Sequence, residues 1–190
     1  MLNAPNLLSL FRILLVPVLV AVLLTKPKFA GQEWWGLGLF LLAALTDFLD
    51  GYLARKRKQI TRLGMLLDPA ADKILTSAAF ISLVELNPHA CPAWMVAVIL
   101  AREFAVTSLR SFASAENMVI PAAASGKVKT TVQIIAIALL IIYSQLGEFR
   151  HLAPISLWIA MLLTAYSGID YAVRFGRILL RGPQGPGAAA

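Results

Sequence analysis

Four aspartates carry the chemistry that this sequence is best equipped to perform. Asp47, Asp50, Asp68 and Asp72 crowd into one stretch of a 190-residue chain that has only 10 acidic residues. Their neighbours are largely apolar, and a carboxylate at the centre of a membrane helix would cost about 2.5–3.5 kcal/mol, less near an interface. Retained acids in such a setting point to function. Asp47 and Asp50 are spaced i, i+3, so in a helix they share a face with Gly51 and Ala54. Gly64, Asp68 and Asp72 recur every fourth residue and form a second helical stripe. If the two helices are consecutive and antiparallel, the stripes meet at one depth and four carboxylates repel unless cations lie between them. Ligand oxygens alone select Mg²⁺, Mn²⁺ or Ca²⁺ over Zn²⁺. Four carboxylates suit two divalent ions about 4 Å apart, an arrangement used for phosphoryl-type transfers. Small residues at 51, 54 and 64 would let a ligand's phosphates approach the backbone, although small residues also serve plain helix packing in membranes.

Long apolar helices are needed to hold such stripes, and the composition supplies them. Hydrophobic residues make up 59% of the chain and charged residues 14%, with a mean hydropathy of +0.76. That balance excludes an ordinary soluble globule, a disordered chain and a disulfide-stapled secreted domain. The single cysteine, Cys91, has no internal partner. Six segments have the roughly 20 apolar residues that a bilayer crossing takes: about Leu7–Thr25, Trp34–Ala54, Leu66–Leu86, Pro92–Phe112, Val128–Leu146 and Pro154–Phe175. The expected fold is therefore an all-α integral membrane protein of six transmembrane helices, one domain over 1–181, with a low-complexity tail at 182–190. Thirteen basic residues fall on the side of the termini: Arg12, Arg55, Lys56, Arg57, Lys58, Arg62, Lys73, Arg110, Lys127, Lys129, Arg174, Arg177 and Arg181. Only Lys26, Lys28 and Arg150 fall opposite. The positive-inside rule then places both termini, and the acidic end of the bundle, in the cytoplasm. The net charge of +7 suits cytoplasmic loops and anionic membrane lipids, and no nucleic acid partner is expected.

The acidic stretch also spells a known pattern. Asp47-Phe-Leu-Asp50-Gly51-Tyr-Leu-Ala54-Arg55, then eight residues, Gly64, three residues, Asp68, three residues and Asp72 match D-x-x-D-G-x-x-A-R-x8-G-x3-D-x3-D in every fixed position. In this the chain resembles the CDP-alcohol phosphotransferases. The segments NLLSLFRILLVPVLV, LLDPAADKIL, AREFAVTSLRSF and SGKVKTT are similar to the branch of that family that forms phosphatidylglycerophosphate from CDP-diacylglycerol and sn-glycerol 3-phosphate. The likeness runs from Asn3 to about Arg177. It implies two Mg²⁺ or Mn²⁺ ions held by Asp47, Asp50, Asp68 and Asp72, with Asp72 as general base. It implies a CDP-diacylglycerol site at Gly51, Ala54, Arg55, Thr61 and Gly64, a homodimer, and, for a bacterial chain, the inner membrane.

An acceptor carrying a phosphate needs cations. Arg102 and Arg110 on the fourth segment suit bidentate phosphate binding, with Glu103 holding one of them in place. Lys127 and Lys129 lie about 200° apart if helical, so one is expected to reach the phosphate while the other extends to the interface. Lys127, with Thr130 and Thr131 on its face, is favoured by geometry. His89 and His151 fall in outer loops, away from the acids. Other readings are the same chemistry with inositol phosphate, serine or phosphatidylglycerol as acceptor, and, from another class, a small cation transporter. The clustering of acids at one end, without inverted repeats, argues against transport.

Overall fold

Runs rich in Leu, Ile, Val and Ala favour helix, and among the described residues six of them become α-helices, the first with Pro17 inside it. The computed structural model describes residues 4–27, 29–57, 62–116 and 125–181, and it describes side chains for 9–27, 29–46, 70–71, 73–116 and 128–179. The helices are α1 (Ala4–Leu24), α2 (Gln32–Arg57), α3 (Arg62–Leu86), α4 (Ala93–Ala115), α5 (Ser125–Ile141) and α6 (Leu152–Arg181). Two 3₁₀ turns, Tyr143–Gln145 and Gly147–His151, join α5 to α6. The described residues contain no strand.

The fifth helix departs from the sequence expectation. It ends at Ile141 instead of reaching Leu146, because Tyr143-Ser144-Gln145 tightens into a 3₁₀ turn and Gly147 takes φ +51°. That left-handed backbone is open to glycine at little cost and stops a helix. The sixth helix is longer than expected, 30 residues. At the start of α2, Gln32 is buried and its Nε2 donates to the carbonyls of Val22 (2.7 Å), Leu23 (2.9 Å) and Thr25 (3.2 Å). Val22 and Leu23 lie in the last turn of α1 and Thr25 just past it, where carbonyls lack partners within the helix. Gly36 lets the same two helices close: a Cβ there would lie 2.6 Å from Leu23 Cδ2.

α1 packs against both α2 and α3, α4 against α6, and α5 against α6. The ends of α1 (Leu23), α3 (Leu86) and α5 (Ile141) and the start of α2 (Gln32, Glu33) line one small cavity. The C-terminal half of α2 and the start of α3 therefore lie at the opposite end of the bundle. Phe40, Phe80, Leu83, Ile137, Leu140 and Leu157 fill the centre. The interior also holds Arg12, Lys129, Gln133 and Thr164, whereas Leu14, Trp35, Ile81, Leu162 and Ile169 stand exposed on the outside. Charge inside and large apolar side chains outside is the arrangement that lipid rewards and water penalises. Among the described residues, Gly147–Leu179 is the one stretch long and apolar enough to cross a bilayer by length and composition, and Ser9–Leu24 and Val128–Ile141 are shorter apolar stretches.

Candidate active site

The backbone sets the acids on two adjacent helices. Asp47 and Asp50 belong to α2, within three turns of its C-terminus, and Asp68 and Asp72 to the first half of α3. Both pairs sit near the connection between these helices, with Gly51, Ala54, Arg55 and Gly64 in helix beside them. The side chains of these eight residues, and Thr61 entirely, lie outside the described residues. Among the described side chains no three of His, Cys, Asp and Glu come together. The four aspartates are the sequence's candidate metal ligands, and an all-carboxylate donor set fits a hard divalent ion.

Deeper in the bundle the structure builds a second charged centre around Glu103, near the middle of α4. Its carboxylate accepts from Lys129 Nζ of α5 and from Arg102 Nη1 at 3.3 Å, and Gln133 Nε2 reaches the same oxygen at 3.3 Å. Lys73 of α3 completes the set, its Nζ 4.0 Å from Oε2. The ion-paired side chains are largely withdrawn from solvent: Lys129 is 8% exposed, Glu103 and Arg102 12% each. Gln133 Nε2 is fixed in turn by Thr164 Oγ1 of α6 at 2.9 Å. Side chains of α3, α4 and α5 thus meet at one carboxylate, α6 joins through Gln133 and Arg102, and three cations among the described residues face it.

Arg102 reaches across to α6 as well. Its Nη2 donates to Ser167 Oγ at 2.7 Å, while the buried Nε has no hydrogen-bond partner among the described residues. Gly168 lies directly beneath the side chain: a Cβ built there would be 2.7 Å from Arg102 Cγ and 3.3 Å from Nε. Arg110, two turns further along α4, is placed differently. It is exposed, lies over the Tyr171 ring at 5.7 Å from the centroid, and takes no part in the ion pairs at Glu103. Of the two lysines on α5, Lys129 turns into the bundle, and the side chain of Lys127 lies outside the described residues. The sequence preference for Lys127 rested on the threonines beside it and did not weigh Glu103 as a partner for Lys129. Instead of extending to the interface, Lys129 is buried because that partner is there.

Several members of this centre were not singled out from the sequence. Lys73 counts in the sequence only as one of the basic residues on the side of the termini, and it is ion-paired here. Gln133, Thr164, Ser167 and Gly168 had no assigned part. The usable signal was a polar side chain in an apolar helix, with Gln133 one turn after Lys129 and Thr164, Ser167 and Gly168 on one face of α6. Among the described side chains three cations face one carboxylate, a cationic lining of the kind that suits a phosphate monoester, which carries about −1.5 to −2 near neutral pH.

The comparisons with known proteins agree with the signature in the acids. A CDP-diacylglycerol–glycerol-3-phosphate 3-phosphatidyltransferase of Bacillus subtilis is 40% identical over 184 residues, covering 90% of this chain and 94% of the relative. The protein of the same name from Rickettsia felis is 38% identical over 173 residues, covering 89% and 93%. A probable phosphatidylglycerophosphate synthase of Mycobacterium tuberculosis is 38% identical over 173 residues, covering 90% and 81%. The family model for CDP-alcohol phosphatidyltransferases matches residues 2–166, which take in the four aspartates, Glu103, Lys129 and Gln133 and stop just before Ser167 and Gly168. The chain belongs to the CDP-alcohol phosphatidyltransferase family.

Proposed function

We propose that this protein transfers the phosphatidyl group of CDP-diacylglycerol to sn-glycerol 3-phosphate, giving phosphatidylglycerophosphate and CMP. The observation that carries the reading is the agreement of relatives bearing that activity in their names along about 90% of the chain. The three described cations around Glu103 also support it, since an acceptor with a phosphate would find counter-charge there. The protein crosses the membrane six times with both termini in the cytoplasm, and the acidic end of the bundle faces that side. The weight of basic residues on that side and the exposed apolar exterior support this arrangement.

In this reading Asp47, Asp50, Asp68 and Asp72 would hold two divalent cations, Mg²⁺ or Mn²⁺, which when bound neutralise pyrophosphate charge as it develops on the leaving group. Gly51, Ala54, Arg55, Thr61 and Gly64 would receive the CDP moiety. Arg102, Arg110, Lys127 and Lys129 would bind the acceptor's phosphate and hold its free hydroxyl in reach of the β-phosphorus. That hydroxyl oxygen forms the new P–O bond, the bond from the β-phosphorus to the bridging oxygen breaks, and CMP leaves with that oxygen. The hydroxyl proton passes to the Asp72 carboxylate as general base. A homodimer in the membrane is part of the same family-based reading. Supplying the purified protein with CDP-diacylglycerol and sn-glycerol 3-phosphate should release CMP, and excess EDTA should stop it. Release with serine, inositol phosphate or phosphatidylglycerol but not with glycerol 3-phosphate would assign another acceptor. Metal flux through protein-containing liposomes without CMP release would replace the transferase reading by a transporter.

A further inference from the structure

Arg102 owes its position to two small uncharged residues of another helix. Its side chain leaves α4, crosses the backbone of α6 at Gly168, and places Nη2 on Ser167 Oγ at 2.7 Å and Nη1 near Glu103 at 3.3 Å. No side chain larger than a hydrogen fits beneath it. A Cβ at 168 would lie 2.7 Å from Cγ, 3.3 Å from Nε and 3.6 Å from Cδ of Arg102. Cγ is near the root of the arginine, so swinging the tip cannot relieve the clash; the whole side chain must change rotamer, and its guanidinium then leaves Ser167 and Glu103. The buried Nε, unpartnered among the described residues, shows how tightly the side chain is held in this track at the expense of one donor.

We infer that Gly168 and Ser167 form the seat that fixes the Arg102 guanidinium for the acceptor's phosphate, so that α6 sets acceptor affinity through positioning residues. The inference rests on the proposed transfer to sn-glycerol 3-phosphate and adds to it a determinant outside the acidic signature. A guanidinium binds a phosphate well only when its planar fork is already aimed. Gly168 supplies the space for that aim and Ser167 the anchor.

The test uses the purified full-length protein, following CMP release while each substrate is varied in turn. Gly168→Ala should raise KM for sn-glycerol 3-phosphate about ten-fold, the value of one charge-assisted hydrogen bond, and leave KM for CDP-diacylglycerol within about two-fold. Ser167→Ala, which adds no atom, should move the same KM in the same direction, and it decides the matter if Gly168→Ala does not yield monodisperse protein. In an Arg102→Ala background neither change should add more than about two-fold, because the side chain they position is gone. Unchanged acceptor KM in both variants would overturn the inference, and so would an effect that persists in full without Arg102. The two readings fail differently. Wild-type protein that releases no CMP with sn-glycerol 3-phosphate overturns the transfer itself, and the seat with it. Wild-type activity with an unmoved acceptor KM overturns the seat alone.

Discussion

Replacing Glu103 by glutamine removes one charge and almost no volume, which isolates what the carboxylate does among its cations. Lys73 Nζ lies 4.0 Å from Oε2. At that distance two unit charges interact by about 4 kcal/mol for an effective dielectric constant near 20. Lys129 and Arg102 are paired with the same carboxylate, so its loss leaves three partly buried cations facing a neutral amide. Breaking a buried ion pair from one side costs about 3–5 kcal/mol. The amide oxygen of the Glu103→Gln side chain would still accept from Lys129 and from Gln133, which returns part of this, so a net loss of about 2–4 kcal/mol is expected. At about 2–4 °C per kcal/mol for a chain of this length, the apparent unfolding midpoint of the detergent-solubilised protein should fall by about 5–15 °C. Adding Lys129→Met removes one of the uncompensated cations and should restore about half of the loss. Asp170→Asn is the control. Its partner Arg174 lies at 2.9 Å, nearer than Lys73 is to Glu103, yet the arginine side chain is 47% exposed and the pair joins neighbouring turns of one helix. A pair screened in this way is worth about 0.3–0.5 kcal/mol in a water-facing setting. A Glu103→Gln midpoint within about 1 °C of wild type, or strict additivity with Lys129→Met, would show that no such charge balance holds the four helices together.

Asp68→Asn and Asp72→Asn should each abolish CMP release while the protein still elutes as a folded, monodisperse species; wild-type turnover in either variant would remove these residues from the reaction. Cys91, in the turn between α3 and α4, is fully buried, and burial pushes its thiol up to about 12. At pH 8 its thiolate is then only about one part in ten thousand of the total. Maleimide should leave Cys91 unlabelled in native protein over the time that fully labels it in SDS, and rapid native labelling would contradict the packing at this turn.

Helix placement was legible because it depends on local pattern. Trp34–Ala54 and Leu66–Leu86 anticipated α2 and α3 to within a few residues, since apolar runs ended by Lys, Pro and Gly announce their own limits. The fifth helix was overdrawn because Ile142 to Leu146 is apolar enough to extend it, and only the positive φ at Gly147 and the turn before it show where the chain bends. The acids were conspicuous because their spacing falls inside two helices and carries its own periodicity. The Glu103 centre had no such spacing. Its members come from four helices, and directly bonded pairs lie as many as 65 residues apart, as Arg102 and Ser167 do. Helical period relates residues three or four apart, and nothing in it says which face of α5 or α6 will lie against α4. Lys73 shows the difficulty best. By the positive-inside count it is one more charge at the cytoplasmic end, and only its neighbour across the bundle makes it a member of a site.

The position of Lys73 also connects the two charged centres. Asp72 and Lys73 are consecutive on α3, so their positions lie about 100° apart around the helix axis. Position 72 belongs to the stripe shared with Gly64 and Asp68, while Lys73 reaches Glu103 on α4. The helix that carries half of the acids is thus held by an ion pair to the helix that carries Arg102. A displacement of α3 by one turn, about 5.4 Å, would break the Lys73–Glu103 pair and shift Asp68 and Asp72 by the same distance. Nucleophilic displacement at a phosphate tolerates no such error, because the attacking oxygen must come within about 3–3.5 Å of phosphorus. A charged contact between α3 and α4 therefore does more than neutralise a buried carboxylate. In the proposed reaction it would fix the depth of the acidic stripe relative to the cations proposed for the acceptor, and a Lys73→Met variant should lower kcat more than it raises either KM. Equal losses in kcat and acceptor affinity would instead mark Lys73 as one more phosphate-binding cation.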